Sequence, residues 1–119
     1  MNVRRREDAT ALTTLDGSTI RVLLDARFGG ALKQSLAEAT LEPGQATQRH
    51  YHARTEEIYV ILEGGGEMEV DGENRPVQPG DTVLIPPGAR HQIRADAPGE
   101  LRFLCCCAPA YSDEDTHLE

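Results

Sequence analysis

Turn-forming pairs interrupt this chain so often that no long helix fits between them. Asp16-Gly17, Pro43-Gly44, Asp71-Gly72, Pro79-Gly80, Pro87-Gly88 and Pro98-Gly99 each mark a tight reversal, because Pro fixes φ and Gly accepts positive φ. Short alternating or apolar runs fill the intervals, and helical periodicity is weak throughout. That pattern predicts an all-β sandwich or barrel. Strands are expected over Thr19–Leu24, Leu32–Leu41, Thr47–His52, Glu57–Leu62, Gly66–Val70, Glu73–Val77, Thr82–Ile85, His91–Ala95 and Leu101–Cys107. Asp71-Gly72, set between GEMEV and ENRPV, is a two-residue hairpin signal.

Alternation within Leu32–Leu41 puts Ser35, Ala37, Ala39 and Leu41 on one face and Gln34, Leu36, Glu38 and Thr40 on the other. The first set is small and mostly apolar, so it is expected inside. Residues 1–15 and 111–119 are polar and weakly patterned, and read as arms, frayed or laid along a neighbour. The length of 119 residues suits one domain with a single core. Trp is absent and aromatics are few, so Val, Ile, Leu and Ala must supply that core.

Twenty acidic against twelve basic residues leave a formal charge of −8. That balance argues against a nucleic-acid partner and offers nothing to an anionic membrane. The charged start MNVRRREDAT lacks an apolar signal region, and no run approaches a transmembrane helix. Cys105, Cys106 and Cys107 are consecutive, unlike a disulfide framework or the spaced pairs of a zinc site. They are expected to be inert packing residues on a strand. Free thiols without a signal suggest a cytoplasmic location.

Three of the four histidines carry the chemistry. Strand residues two apart share a face, roughly 6.5–7 Å apart at Cα, so His50 and His52 can converge on one ion while Tyr51 points away. Ala53-Arg54-Thr55 turns the chain, and Glu57 opens the next strand facing the same interior; Glu56 would then face solvent. His91 follows the rigid corner Pro86-Pro87-Gly88. Three imidazoles and a carboxylate suit one divalent transition metal, Mn, Fe, Co, Ni, Cu or Zn. They do not suit Ca or Mg, which take oxygen ligands. Four protein ligands on an octahedral ion leave two positions open, as in catalytic sites. His117 sits in the acidic tail and is expected to be exposed.

These segments resemble the two motifs of the cupin superfamily, in particular its small single-domain metal-binding members. Gly44, His50, His52, Glu57 and Gly64 match the first motif in full. Gly80, Pro86, Gly88 and His91 match the second, which departs at its last position, where Ala95 replaces Asn. That Asn is not a ligand in the family. The resemblance implies a small antiparallel jelly-roll (double-stranded β-helix) barrel, one domain over residues 1–119 with its core near 30–107. It also implies His50, His52, Glu57 and His91 as metal ligands. Cupins of this size are commonly homodimers, with terminal strands packed across the interface, and Thr19–Leu24 is the candidate strand here.

Alternation adds Gln48, beside His50 and His52, and Tyr59, beside Glu57, as candidate catalytic or substrate-contacting residues. Phe103, Cys105 and Cys107 form one stripe of the last strand. Arg54 and Arg90 stand at strand ends, where surface ion pairs are their ordinary role. The family does not fix the reaction. A metal-dependent enzyme acting on a small molecule is expected. Dioxygenase-type chemistry is narrowly favoured, because isomerase, epimerase or cyclase chemistry on a sugar-like or polyketide substrate needs a base beyond the ligands. A non-enzymatic ligand-binding or sensing domain is the remaining alternative.

Overall fold

The computed structural model describes residues 1–119 and is built almost wholly from antiparallel strands. They are β1 (Ala11–Thr13), β2 (Thr19–Leu24), β3 (Ser35–Leu41), β4 (His50–His52), β5 (Glu56–Glu63), β6 (Gly66–Val70), β7 (Glu73–Val77), β8 (Thr82–Ile85), β9 (His91–Ala95), β10 (Leu101–Ala108) and β11 (Thr116–Leu118). Six make one sheet, ordered β1-β2-β3-β10-β5-β8, and five make the other, ordered β11-β4-β9-β6-β7. The all-β fold expected from the turn pattern is present, and its form is the jelly-roll that the resemblance implies. No helix is long and apolar enough to cross a membrane.

The sheets face each other across a core of Ala39, Leu41, Tyr59, Ile61, Met68, Ile85, Ile93, Leu101, Phe103 and their neighbours. Burying each large aliphatic or aromatic side chain contributes roughly 1.5–3 kcal/mol. The period-two register holds: Ser35, Ala39 and Leu41 are buried, and Ala37 faces the interior with them. Glu38, on the opposite face, is also buried. Arg6 grips its carboxylate at 2.7–3.0 Å and Arg102 reaches it at 3.3 Å.

Two turns show why their residues are required. The β6–β7 hairpin places Asp71 at φ 48° and Gly72 at φ 88°, the positive pair that a two-residue turn demands. Asp71 also accepts the Arg90 N–H at 2.8 Å through its side chain, which steers the entry to β9. Gly64, at φ 79°, lies so close to the Glu100 carbonyl that a side chain there would collide with it.

The arms depart from expectation. Residues 11–13 pair with β2, Ala11 opposite Arg21. Residues 116–118 pair with β4, Thr116 opposite His52. Both termini therefore extend sheets within their own chain. Strand β2 lies between β1 and β3, with β1 covering its outer edge over Thr19, Ile20 and Arg21.

Candidate metal centre

The site is assembled from both sheets. His50 and His52 come from β4 and His91 opens β9 in the five-stranded sheet, while Glu57 projects from β5 across the interior. His50 stands opposite His91 in the β4–β9 register, so pairing of backbones brings the rings together. Their centroids are 4.2 Å apart, with His50–His52 at 5.1 Å and His52–His91 at 5.5 Å. One ligating atom from each of the three lies within 4.8 Å of the others. Glu57 Oε1 sits 3.3 Å from both His52 Nε2 and His91 Nε2. All four side chains are buried, and Glu56 points to solvent as expected.

The rings are aimed by their outer nitrogens. His50 Nδ1 lies 2.7 Å from the Gln48 carbonyl and His91 Nδ1 lies 3.0 Å from the Ala89 carbonyl. A carbonyl only accepts, so each Nδ1 carries the proton and each Nε2 presents a lone pair inward. His52 Nδ1 lies 3.2 Å from the Thr116 hydroxyl. Cys107, opposite Glu57 in the β10–β5 register, donates its thiol to Glu57 Oε2 at 3.1 Å.

The donor set fits a cation. Glu57 Oε1 and His91 Nε2 are the buried side-chain polar atoms left without a hydrogen-bond partner. Buried polar atoms are normally paired, and these two point at the same small volume as the other imidazoles. Mixed nitrogen and carboxylate donors favour a transition metal over Ca or Mg.

Charge is distributed accordingly. Burial pushes the Glu57 carboxyl up, but its contacts with His52 and His91 outweigh that and hold it well below the usual carboxylate range. Burial, reinforced by His91, lowers His50 and keeps it neutral. Burial also opposes a charge on His52, yet Glu57 beside it wins and raises its pKa. A proton on His52 Nε2 therefore pairs with the ionised Glu57 carboxylate, and a cation binding through that nitrogen must displace it.

A cavity of about 340 Å³ opens on this cluster. Its lining combines the polar side chains of His50, His52, Glu57, Tyr59 and Asp16 with the apolar Leu12, Leu15, Ile20, Val22, Ala37, Ala39 and Phe103. Tyr59 is buried against Phe103, with ring centroids 4.6 Å apart, and stands edge-on to His91. Burial, and then the Glu57 charge, push its hydroxyl pKa far up, which suits it to donate a hydrogen bond rather than act as a base. Gln48 departs from the expected orientation and is exposed. Alternation fails there because β4 begins only at His50. Thr47 turns inward instead, its hydroxyl accepting the Ile93 N–H at 3.1 Å. Gln48 contributes only backbone, its N–H to Asp16 O at 2.7 Å and its carbonyl to His50.

Cys105 and Cys107 line the cavity with Phe103, as the stripe predicts. Burial raises both thiol pKa values, so neither is a ready thiolate. Arg54 pairs with Asp115 at 3.7 Å, and Arg90 lies over the Tyr51 ring at 3.8 Å; neither lines the cavity. His117 is exposed but stacks on Tyr51 at 4.9 Å.

Asp16 is the site residue that motif reasoning missed, because Asp16-Gly17 reads simply as a turn. Its Oδ1 accepts the Ser18 N–H at 2.9 Å, the Ser18 hydroxyl at 2.7 Å and the Thr14 hydroxyl at 2.8 Å. That leaves Oδ2 facing the cluster, 3.7 Å from His50 Nε2.

Comparison with known proteins agrees with this geometry. A family model described as a cupin domain matches residues 37–107. An uncharacterised protein of Methanocaldococcus jannaschii, MJ1618, is 48% identical over 105 residues, covering 88% of this chain and 84% of its own. Polyketide synthase CurC of Streptomyces cyaneus is 31% identical over 93 residues, covering 78% of this chain and 60% of its own. The solved structure of the polyketide cyclase RemF from Streptomyces resistomycificus superposes with a TM-score of 0.79 at 26% identity, covering 97% of this chain and 89% of that one.

Proposed function

The chain belongs to the cupin family, and from that premise we propose that it is a metal-dependent enzyme moving a proton on a small, largely apolar molecule that bears oxygen donors, a cyclase-type reaction. His50, His52, Glu57 and His91 would hold one divalent transition metal. The observation that carries the reading is Asp16, a carboxylate on the cavity wall with one oxygen fixed by three donors and the other turned toward the cluster. The sequence favoured oxygen chemistry only for want of such a base. The likeness to the polyketide cyclase RemF supports the same reaction class.

A bound divalent ion supplies Lewis acidity to an oxygen it coordinates. The chain's own residues do the rest. Asp16 Oδ2 receives a proton from carbon, and the hydrogen bonds on Oδ1 keep the carboxylate in place. The Tyr59 hydroxyl donates to a substrate oxygen. Leu12, Leu15, Ile20, Val22 and Phe103 hold the apolar body and exclude water, which strengthens the electrostatics within.

The test uses 1-hydroxy-2-acetonaphthone, an aromatic hydroxyketone, with protein reconstituted separately with Mn²⁺, Fe²⁺, Ni²⁺ and Zn²⁺. Binding should require the metal, and deuterium from D₂O should enter the acetyl methyl group. Asp16→Asn should keep the metal and slow exchange about 10²–10⁴-fold, the usual share of a general base. Oxygen consumption without exchange, or a protein that takes up no metal, would overturn the proposal.

A further inference from the structure

The segment after β10 follows the matched family region, yet it closes the metal centre from outside. Thr55, in the turn between His52 and Glu57, donates its hydroxyl to the Pro109 carbonyl at 2.9 Å. Asp115 accepts the backbone N–H groups of Arg54 and Thr55 at 3.0 Å. Thr116 stands opposite His52 in the β11–β4 pairing and is buried.

The Thr116 hydroxyl makes its close contacts with the Ser112 carbonyl at 2.8 Å and His52 Nδ1 at 3.2 Å. The carbonyl can only accept, so the hydroxyl proton goes to Ser112. What remains for His52 is a lone pair, which requires a proton on Nδ1. His52 Nε2 is thereby left free to face Glu57 Oε1. The same tautomer is imposed on His50 and His91 by backbone carbonyls, which no substitution removes. Of the three imidazoles, His52 alone is set by a side chain, and that side chain lies 64 residues away in sequence.

We infer that Thr116 is a positioning residue that fixes the ligating tautomer of His52, making the C-terminal segment Ser112–Thr116 part of the metal centre. The inference rests on the metal-binding reading above. Without the hydroxyl, Nδ1–H has no acceptor in a buried place, and the ring relieves this by moving the proton to Nε2, where it meets Glu57. That tautomer cannot ligate through Nε2 until the proton is moved back. Outer partners of metal-bound histidines typically change metal affinity 10–100-fold.

Two measurements on Thr116→Val and Thr116→Ser test this. The first is ¹⁵N–¹H long-range correlation of His52 in metal-free protein at pH 9. Wild type and Thr116→Ser should show a proton on Nδ1, and Thr116→Val should show it shifted toward Nε2. The second is Ni²⁺ titration calorimetry, in which Thr116→Val should bind 10–100-fold more weakly and Thr116→Ser within about threefold of wild type, since it keeps the hydroxyl. Should valine disturb the fold, as judged by circular dichroism, Thr116→Ala removes the same hydroxyl without added bulk and is read identically. An unchanged tautomer with Ni²⁺ affinity within threefold of wild type would overturn the inference while leaving the metal site standing. Wild type that binds no Ni²⁺ would overturn the metal reading itself, whatever the tautomer.

Discussion

Replacing Asp115 by alanine should destabilise the metal-free protein by about 3 kcal/mol, a figure that follows from where its bonds end. The carboxylate is buried and accepts the Thr55 N–H at 3.0 Å and the Arg54 N–H at 3.0 and 3.2 Å. Thr55 is itself buried, so its amide loses a charged acceptor where water is scarce, at a cost of about 1.5–3 kcal/mol. Arg54 is exposed, water replaces its lost bond, and about 0.5–1.5 kcal/mol is the appropriate range. The Arg54 side chain is 73% exposed, so its ion pair adds nothing worth counting. At roughly 3–5 °C per kcal/mol for a chain of this size, the melting temperature should fall by about 9–15 °C.

The pH dependence supplies the sign. Burial pushes the Asp115 carboxyl up, but the bonds from Thr55 and Arg54 outweigh it and leave the pKa lowered. A lowered folded pKa contributes stability that is present above the unfolded value, near 3.9, and is lost as pH falls through the folded one. Urea denaturation of wild type and Asp115→Asn, followed by circular dichroism after chelation, should show a constant gap from pH 7 to about 5 that closes below about 4. A gap under 1 kcal/mol for Asp115→Ala at pH 7, or one that persists unchanged to pH 3, would refute the capping argument.

Three further outcomes are expected. Glu57→Gln removes a charged donor aimed at the centre and should weaken Ni²⁺ binding at least about 100-fold by calorimetry, the upper range seen even for outer partners. Because the His52 pKa is raised by Glu57, proton and metal compete there. Ni²⁺ affinity should fall by up to tenfold per pH unit as pH drops below that raised value, and Glu57→Gln should flatten the profile. The same shift gives the metal-free protein stability below pH about 6.5 that is lost as pH rises through the folded pKa of His52. Gly64→Ala forces a side chain toward the Glu100 carbonyl at positive φ and should cost more than about 1 kcal/mol in urea denaturation; an unchanged midpoint would remove the steric reading of that motif position.

How much of this was legible in the sequence depends on the range of each interaction. Strands β5 to β10 lie close to expectation because each is bounded by turn chemistry and carries its own period-two pattern. The four candidate ligands converge because their strands pair or face one another across the barrel. Strands β1 and β11 are too short to show a period, and they form because existing edges accept them. Gln48 was misplaced for a related reason: alternation presumes a paired strand, and β4 has only three residues. The outward placement of Glu38 was correct by alternation. Its burial was not legible, because Arg6 and Arg102 arrive from 32 and 64 residues away.

Asp16, Leu12 and Leu15 come from the N-terminal arm, and Tyr111, Asp115 and Thr116 from the C-terminal one. The motif places four candidate ligands on β4, β5 and β9, a frame that chains of different chemistry can share. The arms add what the motif lacks, a free carboxylate oxygen, an apolar mouth and the hydroxyl behind His52. If the chemistry is set there, exchanging residues 1–18 between this chain and a related cupin should transfer the deuterium-exchange activity while leaving Ni²⁺ affinity within about threefold, since no ligand or outer histidine partner moves. Transfer of metal affinity together with activity would show that the arms build the centre as well as the pocket.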